Sequence, residues 1–156
     1  MKAQIIDAVN GRPGIHFREL QREVGCSVNT LDYHLRRIDG LNEERIRGYR
    51  RIFPAQVDTE LYDALAALNH ESRGLLLHVV DREPGLTMSG IGERVELSLS
   101  SVSEHLRALA ADDVVLVQRD GRARRYEPSG SAVTAIRRFG GRLLDRYADG
   151  FVSMWE

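Results

Sequence analysis

Apolar residues recur at helical spacing in two separate stretches of the chain. Ile5, Ile6 and Val9 mark a helix over about residues 2–9, and Phe17, Leu20 and Val24 mark a second over about 16–24. After a short turn, Ser27 stands where it can cap a third helix whose inward face is Val28, Leu31, Leu35 and Ile38. The period then shortens to two: residues 45–47 and 50–53 alternate about Gly48, which predicts a hairpin. The same order returns later. Leu76, Leu77 and Val80 lie within a helical stretch at about 70–81, and Met88, Ile91 and Val95 within 87–95. Ser98 precedes Leu99, Val102, Leu106 and Leu109, and residues 114–119 and 124–127 flank Gly121.

A shift of 71 residues superposes the two halves: Pro13-Gly14-Ile15 falls on Pro84-Gly85-Leu86, Ser27 on Ser98, and His34-Leu35-Arg36 on His105-Leu106-Arg107. The chain is an internal duplication. A small insertion before the hairpin turns then places Arg50-Arg51 against Arg124-Arg125. Each copy reads as three helices followed by a β-hairpin, which is the pattern of a winged helix; the predicted class is mainly α with small β-hairpins, α+β. The predicted organisation is a first winged-helix domain over 1–56, a linker helix over 57–69, a second winged-helix domain over 70–129 and a C-terminal helix over 130–156. Leu61, Leu65 and Leu68 predict one apolar side on the linker helix, with Asp58 as its cap. Gly140-Gly141 interrupts the last helix, which requires a bend or a closely packed neighbour there.

Composition narrows the function classes. The formal net charge is −1, yet residues 1–56 sum to +3 and Arg119, Arg122, Arg124 and Arg125 fall within seven positions, so basic patches sit inside an acidic total. Lys2 is the only lysine, so almost all positive charge is guanidinium. The single cysteine, Cys26, cannot form an intramolecular disulfide, and no apolar run reaches membrane-spanning length; a cytoplasmic, chromosome-associated protein is expected. No phosphate-binding glycine loop, activated nucleophile or paired-carboxylate motif stands out, so no enzymatic activity, cofactor or metal is expected. Cys26 in the turn before the third helix reads as a small hydrophobe rather than a redox sensor, and His34 and His105 as packing residues.

The stretch 13–38, Pro-Gly-Ile-His-Phe-Arg-Glu-Leu-Gln-Arg-Glu-Val-Gly-Cys-Ser-Val-Asn-Thr-Leu-Asp-Tyr-His-Leu-Arg-Arg-Ile, resembles the helix-turn-helix of archaeal winged-helix regulators of the MarR-like and ArsR-like kind. The second copy, from Ser98-Leu-Ser-Ser-Val-Ser-Glu-His-Leu-Arg-Ala-Leu109 to Gly121-Arg-Ala-Arg-Arg-Tyr126, is similar to the same superfamily. Gln21 and Glu96 depart from its usual small residue in helix 2 and glycine in the turn. The resemblance implies a transcription regulator that binds double-stranded DNA, with the third helix of each copy in the major groove.

On that expectation Asn29, Thr30, Tyr33, Arg36 and Arg37 of the first copy, and Ser100, Ser101, Ser103 and Arg107 of the second, face the bases. The first copy is expected to be the main reader, because Glu104 makes the second face less cationic. Arg47, Arg50 and Arg51, with Arg119, Arg122, Arg124 and Arg125, are expected to neutralise phosphates from the hairpins. The plain alternatives are a solvated helix face and edge strands protected by charge. A homodimer is expected through Ile136, Leu143, Leu144, Tyr147, Phe151 and Trp155; the competing arrangement folds that helix back over Leu61, Leu65 and Leu68. The competing function is a tandem winged-helix scaffold that binds protein. A third reading makes the second domain a ligand-sensing or dimerisation module.

Overall fold

Ser27 and Ser98 cap as predicted: Ser27 Oγ accepts from Thr30 N at 3.1 Å and Ser98 Oγ from Ser101 N at 3.2 Å. A computed structural model of the chain describes residues 1–144 and contains the two repeats in succession. The first runs α1 (Lys2–Gly11), β1 (Ile15–His16), α2 (Phe17–Val24), α3 (Val28–Leu35), β2 (Leu41–Ile46) and β3 (Tyr49–Pro54). The second runs α5 (Glu71–Arg82), β4 (Leu86–Thr87), α6 (Met88–Gly92), α7 (Leu99–Ala111), β5 (Val115–Asp120) and β6 (Ala123–Pro128). Their antiparallel sheets have matching strand orders, β1-β3-β2 and β4-β6-β5. Gly14 and Gly85, with φ of +89° and +91°, turn the chain into the short first strand of each sheet, and their N–H groups donate to Ile52 O and Tyr126 O. Helix α6 is shorter than the predicted 87–95, since Gly90 and Gly92 weaken it, yet Ile91 and Val95 are still buried.

Between the repeats a 3₁₀ turn (Thr59–Leu61) leads into α4 (Tyr62–Asn69). Asp58 precedes the turn but makes no side-chain capping bond, contrary to expectation. The predicted single apolar side also proves too narrow. Tyr62, Ala64, Leu65, Ala66, Ala67, Leu68 and Asn69 are all buried, leaving only Asp63 exposed on α4. Tyr62 stacks on Phe53 of β3 with ring centroids 3.7 Å apart, and the buried Asn69 amide donates to Pro13 O at 2.7 Å. Over the other faces of α4 run α5 and the C-terminal segment: α8 (Gly130–Ala135), a π-helical turn (Ile136–Gly140) and α9 (Gly141–Leu144). One apolar core therefore joins Phe53 of the first hairpin, α4, the second repeat and Leu143. A second, smaller core built on Ile5, Val9, Leu20, Leu31 and Ile52 belongs to the first repeat alone.

This fold-back corrects one dimer assignment. Leu143 is 1% exposed and lies in the core with the linker helix, so it offers no surface to a partner, while Ile136 is partly buried against the same core. The side chain of Leu144, and Tyr147, Phe151 and Trp155, lie outside the described residues. The closely packed neighbour expected at the glycine pair is His78: a Cβ on Gly140 would sit 3.2 Å from its Cε1. Gly74 is tighter still, with a Cβ placed 2.9 Å from the Leu68 carbonyl oxygen, because α5 starts almost against the end of α4.

Two outcomes follow for stability. Gly74→Ala should destabilise the protein by about 1–3 kcal/mol, because the obstacle is backbone; Gly11→Ala, with open space around it, should not, and urea unfolding compares them. Burial pushes His70 and His78 down to about 4. The unfolded chain therefore binds more protons than the folded one between about pH 6.5 and 4, and stability should fall as pH drops through that window. His70 Nδ1 caps α5 by accepting from Arg73 N at 3.3 Å, so His70→Asn, which retains an acceptor, should reduce the slope of unfolding midpoint against pH.

Candidate nucleic-acid interface

The exposed face of α3 carries Asn29, Tyr33, Arg36 and Arg37. Arg37 folds over the Tyr33 ring, 3.7 Å from its centroid, and donates to Tyr33 O, while Thr30 Oγ1 accepts from the Ser27 hydroxyl. Helix α7 is longer, thirteen residues against eight, and its first turns present Leu99, Ser100 and, one turn further, Ser103 and Arg107. Ser101 is held by the Ser98 hydroxyl at 3.0 Å.

The first hairpin differs from expectation at all three of its proposed phosphate ligands. Arg51 is 6% exposed and donates to Gly14 O at 3.0 Å, tying β3 to the turn before β1. Arg50 bonds Asp32 of α3 at 2.6 Å and both oxygens of Glu43 on β2, and it lies 3.8 Å over the Phe17 ring. These bonds raise the Arg50 pKa and lower that of Asp32. Arg47, at the hairpin turn with φ +53°, reaches the other repeat: its guanidinium bonds Asp112 at 2.6 Å and Ala108 O at 3.1 Å, at the C-terminal end of α7. Each of these arginines is engaged within the chain.

The second hairpin diverges from that arrangement at one position. Arg125 is the repeat equivalent of Arg51 and keeps its structural bond, to Gly85 O at 2.9 Å, with a further bond to Asp120. Arg124 is the equivalent of Arg50, but the two carboxylates are gone. The 71-residue shift places Ser103 where α3 has Asp32. The strand register places Val117 opposite Tyr126 as Glu43 is opposite Ile52, so Val117 replaces Glu43. Arg124 consequently makes no hydrogen bond or ion pair among the described residues, and neither do Arg107, Arg119 and Arg122. Arg119 stands directly opposite Arg124 across the hairpin, a like-charge pair that an anion between them would relieve.

The groove between third helix and hairpin changes accordingly. In the first repeat it encloses about 330 Å³, with the Asp32–Arg50–Glu43 bridge across it. In the second it encloses about 620 Å³ and is bordered by Ser103, Arg107, Arg122 and Arg124. Sequence reading missed this reversal, although the signal was present in the duplicated alignment: Asp32 to Ser103 and Glu43 to Val117 are the substitutions that unlock the arginine. Such a groove, cationic and flanked by a helix whose N-terminal half is exposed, can seat a phosphate backbone beside base edges. Among the described residues no helix is long and apolar enough to cross a membrane, and no group of three or more His, Cys, Asp or Glu side chains could hold a metal ion.

Residues 1–65 match a family model described as an N-terminal HTH domain, and residues 70–115 match one described as winged helix-turn-helix DNA-binding. No curated protein sequence matches. Among solved structures, an ArsR-like transcriptional regulator from Rhodococcus sp. RHA1 is 29% identical, over 58% of this chain and 88% of that one, with a TM-score of 0.43. NolR from Sinorhizobium fredii is also 29% identical, over 56% and 85%, with a TM-score of 0.45. With a helix-turn-helix model on each half and the duplicated helix–hairpin architecture, the chain carries two successive winged helix-turn-helix domains.

Proposed function

We propose that the protein regulates transcription by sequence-specific binding of double-stranded DNA, with its second winged helix as the principal contact. The carrying observation is the open groove between α7 and the β5–β6 hairpin, where Arg107, Arg122 and Arg124 form no ion pair among the described residues. In this reading α7 enters the major groove, Ser100, Ser103 and Arg107 meet base edges, and Arg119, Arg122 and Arg124 meet phosphates. Arg107 can donate two parallel bonds to guanine, which the serines cannot, so it supplies the largest share of base discrimination.

The first repeat has a supporting part. Asn29, Tyr33, Arg36 and Arg37 remain exposed on α3, so it offers a second helix face to the same or a neighbouring segment of duplex. Its hairpin, whose arginines are bonded internally, contributes shape rather than charge. A protein-binding scaffold would be better served by an apolar groove than by one ringed with guanidinium groups.

Titration with duplex DNA at several salt concentrations tests the reading. Three arginines on phosphates should give a log–log slope of about −3, and Arg122→Gln or Arg124→Gln should each reduce it by about one unit. Both variants should keep the unfolding midpoint, since neither side chain holds a bond within the described residues. Arg50→Gln should behave in the opposite way, costing about 1–2 kcal/mol of stability while leaving the slope unchanged. A flat salt response in the parent protein would favour the scaffold reading.

A further inference from the structure

The contact between the repeats leaves a cleft of about 450 Å³ away from both DNA-facing grooves. Its walls are the first hairpin, with Tyr49, the elbow between α4 and α5, with His70 and Arg73, and the end of α7, with Asp112. The Arg47–Asp112 ion pair spans it, since both residues border the cleft and bond at 2.6 Å. Most charges here are already matched: Asp112 by Arg47, and Glu19 by Arg12 at 2.6 Å. Two are not.

Arg73 makes no side-chain hydrogen bond or ion pair among the described residues, and its Nε is buried without an acceptor. A half-buried guanidinium in that condition is costly unless an acceptor arrives. Burial and the nearby Arg47 push its pKa down, so the site disfavours the unaccompanied charge. Beside it, His70 Nδ1 already accepts from the Arg73 backbone, which fixes the neutral tautomer with its proton on Nε2. That N–H is a second donor. His16 is set in the same way, its Nδ1 accepting from Arg18 N at 3.0 Å, and its ring lies 5.2 Å from the Tyr49 ring.

The second unmatched group is Asp63, which also borders the cleft and forms no ion pair among the described residues. Burial, with repulsion from Asp112 and Glu44, raises its pKa. Asp63 projects from α4 and Arg73 from α5, beyond the elbow, and the Arg47–Asp112 pair borders the same cleft. The cleft has one end that wants an anion and another that repels one.

We propose that this cleft binds a small organic monocarboxylate, whose carboxylate accepts from the Arg73 guanidinium and the His70 imidazole while its uncharged remainder lies toward Tyr49 and Asp63. The volume falls within the range of small-molecule sites, and the lining combines a few convergent polar groups with the apolar faces of Ile46, Ala66, Ala67 and Leu109. An occupant touches the hairpin of one repeat and the third helix of the other, the two elements whose relation it would fix. The site is independent of the DNA reading.

Butyrate and succinate, equal in carbon number and differing by one terminal carboxylate, are the probes. The full-length protein is titrated with each at constant ionic strength while arginine Nε–H and histidine ring signals are followed by NMR. Butyrate should shift the Arg73 and His70 signals saturably, with a Kd on the order of 1 mM, and leave Arg122 and Arg124 unmoved. Succinate should bind at least tenfold more weakly, and Asp63→Asn should remove that difference. Arg73→Gln should weaken butyrate at least tenfold at the His70 signal in a protein whose spectrum stays dispersed. A linear drift shared by all exposed arginines would overturn the proposal, as would an unchanged butyrate Kd in Arg73→Gln or equal binding of the two acids in the parent protein.

Discussion

A helix with almost no polar side has to be covered on every face, and α4 imposes that requirement on the whole chain. Only Asp63 among Tyr62–Asn69 reaches solvent. One flank is closed by Phe53 of the first hairpin, another by α5, and the remainder by the returning C-terminal segment with Ala132, Ala135 and Leu143. Fully burying each large apolar side chain contributes about 1.5–3 kcal/mol, so separating the repeats would expose several such groups at once. The linker is thus a shared core, and the two winged helices hold a fixed relation. The Arg47 clasp onto the end of α7 is a consequence of that placement, and so is the cleft beside it.

Duplication supplied two copies of one device, and a few substitutions gave them different electrostatic states. Both hairpins keep an arginine bonded to the glycine carbonyl before the first strand, Arg51 to Gly14 and Arg125 to Gly85, because that bond holds the sheet to the turn. The neighbouring arginine has been treated differently. Arg50 is bound by Asp32 and Glu43 and stacked on Phe17, which makes it part of the fold. Arg124 faces Ser103 and Val117 at the same places and carries its charge outward. Each hairpin carries four arginines and two acids, so the contrast lies in placement: Glu43 bonds Arg50, whereas among the described residues no acid bonds Arg124.

Much of this fold was legible in the sequence because each signal had a local physical cause. Cap serines satisfy orphan N–H groups, Gly14 and Gly85 permit a left-handed turn, and inward apolar positions repeat at 3.6 and then 2 residues, so the elements declared themselves. Less accessible was anything that depends on contacts across the chain. The linker helix showed one leucine side, but its alanines and Tyr62 signalled burial only once α8 was seen to cross them. For the same reason Leu143 looked available to a partner helix. The site suffered most: a run of arginines reads as a phosphate surface, and only the positions of Asp32, Glu43 and Asp112 reveal which guanidinium groups are already taken. On the helix faces, Asn29, Tyr33, Arg36, Ser100 and Arg107 are exposed, as their outward positions in the helical period imply.

In the proposed function, divergence after duplication turned one winged helix toward the duplex and closed the groove of the other. Amide chemical-shift mapping of the full-length protein on adding duplex DNA measures this directly. The largest changes should fall on residues 99–107 and 119–125, with smaller ones along the exposed face of α3 and none on residues 43–51. Changes concentrated on residues 43–51, with 119–125 silent, would contradict the account.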